Sequence, residues 1–311
     1  MPAEDYFSKT YQGARAKFLA ACQELRVQPT EFRGPYGPAA PEPPLIECLR
    51  LGDPAATNLL VIYGGDRRSD ALCCAGIETG WLKEFGKAKL PANTAIGLLH
   101  HGAVPKTGGE IPGKGGPPPQ WEDDILAKVE ERYAEYARLQ GIDSTGAPLP
   151  ESTDGDVPGY PARLLDMLAH AIAPGATSRI IFVEIRVGLG RWGEAELFPC
   201  HPRTSPETKR IRQWFSLAEP SEDAPPGEQE PGCLGAGLMR RFAGAEITAA
   251  TASFGTYSMM SILESLATRP NGQVTPETGQ VVFPQSAEWR DEVWRNAIVV
   301  IQRALTGMQH S

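Results

Sequence analysis

Short apolar runs alternate along the chain with segments of helical periodicity, and this alternation restricts the fold more than any other feature. Four runs have the continuous apolar character of strands buried on both faces: 59–65, 94–102, 179–188 and 246–255. Apolar spacing predicts helices over 4–25, 71–85, 121–139, 160–172, 206–215, 235–242, 259–268 and 287–306. Buried strands that alternate with helices predict an α/β fold, with a doubly wound mixed sheet flanked by helices.

A ligand is expected at the carboxyl ends of these strands, because sheets of this class bind ligands in the crevice where the strand order reverses. The segments that follow the four strands are 65–70, 100–102, 186–193 and 253–257. Neither an internal repeat nor a clear boundary divides the chain, so we expect one domain over residues 1–311.

The chain carries 30 Lys and Arg against 38 Asp and Glu, a net charge of -8. In the absence of a basic patch, that charge disfavours nucleic acid and anionic membranes as partners. The amino terminus lacks the basic-then-apolar order of a secretory signal, and the apolar runs are shorter than the roughly 18 residues of a membrane span. We therefore expect a cytoplasmic protein whose six scattered cysteines are reduced thiols, mostly packed.

Two glycine-rich motifs match cofactor loops only in part, because the helix that would bind phosphate is missing. Residues 188–193 match G-x-G-x-x-G, but a strand-like or loop-like segment closed by prolines follows them. Residues 108–114 resemble a phosphate loop, yet Gly115 replaces the hydroxyl residue that would hold magnesium, and prolines follow.

Cys200 and His201 are adjacent in the sequence, so on an extended chain their side chains point to opposite sides and do not form a catalytic pair. We predict no cofactor.

Five longer segments point to one family. They are YFSKTYQGARAKFLAAC, LLVIYGGDRRSD, RIIFVEIRVGLGRWGEAELF, EITAATASFGTYSMMSILESL and SAEWRDEVWRNAIVVIQRAL. Together they resemble an uncharacterised family of zinc carboxypeptidase-like proteins, related to the succinylglutamate desuccinylases and aspartoacylases. The resemblance covers most of the chain except residues 102–159. It implies a zinc carboxypeptidase-like fold.

The same resemblance implies where zinc and the catalytic carboxylate would be. The family's first ligand pair, a histidine and a glutamate, is matched here by Arg67 and Asp70. Its second ligand histidine is matched by Arg186, and its catalytic glutamate by Ser253. A guanidinium has only donors and no lone pair, so an arginine cannot be a zinc ligand. We therefore predict that the inherited metal site is empty and that hydrolysis through metal-bound water is lost.

The walls of the cleft are predicted to persist while its chemistry has changed. Trp192 and Glu196 match the family's loop after the third strand, and Tyr257 matches the turn after the fourth. Candidates for any remaining chemistry are Asp70, Arg67, Arg186, Ser253 and Tyr257. Candidates for ligand binding are Arg67, Arg186, Glu184, Trp192, Glu196 and His101, and no residue is a metal candidate.

Three hypotheses follow from these residues. In the first, the protein is a metal-free pseudoenzyme whose arginine-lined cleft binds a small carboxylate or a partner, either a second copy or an active paralogue. In the second, the two arginines stabilise developing negative charge in a repurposed lyase, isomerase or cyclase. In the third, His100, His101 or His201 build a relocated zinc site.

Overall fold

The computed structural model describes residues 2–33, 45–64, 68–103, 177–188, 190–217, 242, 244–256, 284 and 286–309. The helices predicted over 121–139, 160–172 and 259–268 lie outside these residues, as does most of the one predicted over 235–242.

Seven strands and four α-helices make up the described part, after a short 3-10 helix at Ala3–Tyr6. The helices are α1 Tyr11–Leu25, α2 Arg68–Phe85, α3 Pro206–Phe215 and α4 Ala287–Gly307. The strands are β1 Thr30–Arg33, β2 Leu45–Gly52, β3 Asn58–Gly64, β4 Thr94–Ala103, β5 Arg179–Gly188, β6 Ala195–Pro199 and β7 Glu246–Gly255.

The strands form one mixed sheet in the order β1-β2-β4-β3-β5-β7-β6. The central strands β4, β3, β5 and β7 are parallel, as expected of strands buried on both faces. Strands β1 and β2 at one edge and β6 at the other are antiparallel to their neighbours. The predicted α/β class with a mixed sheet flanked by helices is confirmed.

The first helix is shorter than its apolar spacing predicts. Thr10 has an extended backbone, and its hydroxyl accepts a hydrogen bond from the Gly13 N–H at 3.1 Å, so it caps a helix that begins at Tyr11. Tyr6 and Phe7 are buried beside the 3-10 turn, which is why the apolar spacing continued across the break. The predicted helix over 4–25 is therefore wrong in its first turns.

One face of the sheet is covered by all four described helices. Its core contains Phe18 from α1, Ile77 from α2, Ile211 from α3 and Trp289 from α4. The residues that alternate with these along the strands face the other way, into a second cluster around Tyr63 and Phe182. Within the described ranges, no helix is long and apolar enough to cross a membrane.

The cysteines differ from the sequence expectation at one position. Cys22, Cys48, Cys73 and Cys74 are free and buried, as predicted. Cys200 is disulfide-bonded, so the prediction of reduced thiols throughout is wrong there. The prediction depended on cysteine density and spacing, which reveal a framework of many disulfides but not a single bridge.

Candidate functional site

The candidate site lies where the strand order reverses beside β3. Strand β3 leads through α2 to β4 on one side, and β5 pairs with its other side. Helix α2 begins at the carboxyl end of β3, and its first turn carries Asp70, which is 1% exposed. The Asp70 Oδ1 accepts a hydrogen bond from the backbone N–H of Val187 at 2.8 Å. This hydrogen bond joins the start of α2 to the end of β5, across the crevice in which such sheets bind ligands.

An ion pair occupies the end of β5. Glu184 and Arg186 are two residues apart on one face of the strand, and the Arg186 Nε donates to the Glu184 Oε1 at 3.0 Å. The Glu184 side chain is 4% exposed, whereas that of Arg186 is 16% exposed. The pair therefore fixes the guanidinium Nε in the protein, while the arginine side chain as a whole stays partly exposed.

Two further polar residues share that face of the sheet. Ser253 on β7 is the register partner of Arg186, and Glu196 on β6 is the register partner of Ser253. Directly paired residues on neighbouring strands have side chains on the same face, roughly 5 Å apart at their Cβ atoms. Arg186, Ser253 and Glu196 thus form a row across three strands.

The loop after β5 is hydrogen-bonded to the end of β7. The Gly193 N–H donates to the Gly255 carbonyl at 2.8 Å, and the Gly255 N–H donates to the Glu194 carbonyl at 3.0 Å. A Cβ on Gly255 would lie 2.1 Å from the Arg191 carbonyl oxygen, so only glycine permits this approach. The indole N–H of Trp289 also donates to the Gly255 carbonyl, at 2.8 Å. These hydrogen bonds hold the loop at the rim of the candidate site, where the Trp192 side chain is 37% exposed.

The two adjacent histidines of β4 point to opposite faces. His101 is buried on the same face as Tyr63, with the two ring centroids 5.1 Å apart, and its Nε2 donates to the Gly64 carbonyl at 2.9 Å. His100 lies on the helix-covered face, where its Nδ1 is 2.8 Å from the Glu78 carboxyl. Of the two rings, that of His101 contacts the end of β3, whereas that of His100 contacts α2.

The residues predicted from the sequence are partly brought together. Arg67 and Tyr257 lie outside the described residues. The structure groups at the strand ends Asp70, Glu184, Arg186, Ser253 and Glu196, with Trp192 at the rim and His101 beside β3. Sequence reasoning missed Trp289 and the Val187 N–H, because their contacts join positions far apart in the chain.

The described residues do not fit the zinc that the resemblance implies. Arg186 offers only N–H donors, and one carboxylate oxygen of Asp70 already accepts the Val187 N–H. No group of three or more His, Cys, Asp or Glu that could hold a metal ion exists within the described part of the chain.

The histidines of the third hypothesis do not assemble into a relocated metal site there. The His201 Nε2 accepts the Ala249 N–H at 2.8 Å, which occupies its lone pair in the interior, and burial lowers the pKa of this imidazole. His100 is held by Glu78 on the opposite face from His101. Three separate structural roles account for these three residues.

Comparison with known proteins yields one family and a set of remote structures. A family model described as protein of unknown function (DUF2817) matches residues 7–104 and 156–296. No curated protein matches the chain.

The solved structures include a glutaminyl cyclase from Porphyromonas gingivalis, with a TM-score of 0.44 and 10% identity over 98% of this chain and 92% of that one. A provisionally named carboxypeptidase A from Shewanella denitrificans has a TM-score of 0.42 and 13% identity, over 95% of this chain and 71% of that one. A provisionally named metallopeptidase from Shewanella amazonensis has a TM-score of 0.42 and 13% identity, over 96% and 92%. Likenesses this remote say nothing about activity.

Proposed function

The chain belongs to the DUF2817 family of proteins of unknown function, and within it we propose that this protein is a metal-free, hydrolysis-deficient member that binds a small carboxylate at the carboxyl ends of β3 and β5. The observation that carries the proposal is the Arg186–Glu184 pair. A buried carboxylate holds the Nε of a partly exposed arginine side chain at the place where this sheet class binds ligands.

An arginine held in this way suits a carboxylate. Its planar fork presents parallel N–H donors that match the two oxygens of a carboxylate, and such charge-assisted bonds are shorter and stronger than neutral ones. Because Glu184 orients the guanidinium before a ligand arrives, less side-chain entropy is lost on binding. The sequence adds two more arginines after β3: Arg67 directly precedes α2, and Arg68 is its first residue.

The loss of hydrolysis is supported by the residue types at the site. Activation of water needs a base or a metal that lowers the pKa of the water. Ser253 occupies the position of the catalytic glutamate in the resemblance, and a hydroxyl with an ordinary pKa does not take a proton at neutral pH. Asp70 and Glu184 are engaged, by the Val187 N–H and by Arg186 respectively.

Isothermal titration with succinate, glutarate, N-acetylaspartate and N-acetylglutamate tests the ligand. We expect at least one to bind, and Arg186→Gln to weaken that binding by about tenfold or more, the loss typical of a hydrogen bond to a charged group. Arg191→Gln is the matched control, since the Arg191 side chain, on the loop after β5, is 86% exposed. Arg186→Lys keeps the charge beside Glu184 and should give an intermediate affinity.

The proposal fails if none of the four acids produces heat, or if Arg186→Gln, shown to be folded by circular dichroism, binds as tightly as the native protein. Proton NMR of the same mixtures reports whether any acid is converted. Conversion that Arg186→Gln abolishes would replace the binding proposal with the repurposed-enzyme hypothesis.

Metal content is a second, independent test. Protein purified without chelator should contain far less than one zinc per chain, and an excess of zinc should leave its melting temperature unchanged, because a ligand that binds only the folded state raises it. Mass spectrometry of the metal and thermal unfolding measure the two quantities. Stoichiometric zinc that survives dialysis would contradict the metal-free assignment.

A further inference from the structure

A buried ionisable pair lies on the helix-covered face of the sheet, away from the row formed by Arg186, Ser253 and Glu196. The Nδ1 of His100 on β4 is 2.8 Å from the Oε2 of Glu78 on α2. Both side chains have 0% exposure. Ionisable groups so fully buried are expensive to charge, so the number of protons on the pair affects the stability of this face.

Helix α1 covers the pair. The ring of Phe18 stacks on the imidazole of His100, with centroids 4.2 Å apart and planes at 3°. One turn earlier, Arg15 donates through Nε and Nη2 to the Oε1 of Glu47, at 2.9 and 2.7 Å. Glu47 is the register partner of His100, so its carboxylate stands next to the imidazole on the same face of the sheet.

The remaining titratable groups around the pair come from α1, α2, β1 and β2. On β2, burial raises the pKa of Cys48 to about 12, and Glu78 adds to the shift. On α1 and α2, the thiols of Cys22 and Cys74 lie close to Glu78, and burial raises the pKa of Cys22 to about 12 and that of Cys74 well above its usual value. Glu31 on β1 accepts a hydrogen bond from Arg15 at 2.6 Å at the edge of the cluster, with its side chain 44% exposed. Two carboxylates, Glu47 and Glu31, therefore share one guanidinium.

We infer that His100 and Glu78 form a one-proton latch that keeps α1 closed over the sheet. While the pair holds its proton, one hydrogen bond joins the two groups without net charge between them, whichever of them carries the proton. When the proton leaves, a carboxylate remains in the buried interior, and the negative charge of Glu47 disfavours it there. Water reaches that charge only if α1 lifts away, because Phe18 and Arg15 form the cover.

The burial of the pair and its contact with Glu47 determine whether the latch opens in acid or in alkali. Burial raises the pKa of Glu78 well above its usual value, and Glu47 adds to the shift. Burial lowers the pKa of His100 to about 4, so the imidazole does not take a second proton near neutrality. The latch is therefore closed at neutral pH and opens as the solution becomes alkaline.

Hydrogen exchange of the full chain, followed by mass spectrometry between pH 6 and 10 and corrected for the intrinsic pH dependence of exchange, tests the latch. Amides of α1 should lose protection by about tenfold per pH unit above the opening point, earlier than those of α4. Glu78→Gln cannot ionise and can still donate to His100, so protection of α1 should become independent of pH. Glu24→Gln, at an exposed glutamate of α1 that pairs with Lys83, should behave like the native protein. Equal pH dependence in native protein and Glu78→Gln would overturn the inference.

Carbon-13 NMR of the native protein labelled at its glutamate carboxyls gives the same answer without a variant. One glutamate should titrate in the alkaline range, together with a change in the resonances of one histidine. If every glutamate titrates below pH 6 and no histidine titrates in the alkaline range, the pair holds no proton at neutrality and no latch exists.

Discussion

Replacing Trp289 with alanine should lower the free energy of unfolding by about 3–5 kcal/mol, the range measured for large aromatic residues removed from cores. Its side chain has 0% exposure in the main core. Its indole N–H also donates to the Gly255 carbonyl, which the Gly193 N–H shares, so the substitution removes one of two donors from the loop over the candidate site. We therefore expect the rim of the site to loosen as the core weakens.

Urea unfolding followed by tryptophan fluorescence and circular dichroism measures the effect. Trp192→Ala is the matched control, because that indole is 37% exposed and its loss should cost less than about 1 kcal/mol. Trp289→Phe separates the two contributions, since it keeps most of the packing and removes only the N–H. Equal stability of Trp289→Ala and Trp192→Ala would show that neither the packing of Trp289 nor its hydrogen bond to Gly255 stabilises the fold.

The arrangement of the central strands could be predicted from the sequence because each is buried on both faces. Such strands appear as continuous apolar runs, and the predicted limits of β5 and β7 agree with the structure residue for residue. The antiparallel strand β2 was missed because Glu47 interrupts its apolar run. That glutamate is tolerated in the interior only through Arg15, which is 32 residues away in the chain. Tertiary pairing of this kind leaves no periodic signal.

The candidate site could be located but not assembled from the sequence. The rule that ligands bind at strand ends indicated Asp70, Arg186 and Ser253, and the structure places all three at one end of the sheet. What the sequence could not indicate is which groups they contact. Asp70 accepts from a backbone N–H 117 residues away, and Ser253 faces Arg186 through a register that depends on the whole sheet. The assigned roles in ligand binding stay predictions until titration tests them.

His100 and Glu78 should contribute to the free energy of unfolding with opposite dependence on pH. His100 has a folded pKa of about 4 against 6.5 when unfolded, so its contribution to stability is present above pH 6.5 and is lost as the pH falls toward 4. Glu78 has a raised folded pKa, so its contribution is present below 4.5 and is lost as the pH rises through the folded value. Between pH 4.5 and 6.5 the folded and unfolded pair each bind one proton, and the two slopes cancel.

Single substitutions should reveal each slope, measured as the free energy of unfolding in urea across pH 4 to 9. Glu78→Gln leaves His100 alone, and its stability relative to the native protein should rise with pH by about 1.4 kcal/mol per unit between 4 and 6.5, roughly 3 kcal/mol in all. His100→Gln leaves Glu78 alone, so stability should fall from pH 4.5 upward. The native protein should be level between 4.5 and 6.5 and decline above, apart from a background common to all variants. Parallel curves for the three proteins would mean that the pair ionises as readily when folded as when unfolded, despite having no access to water.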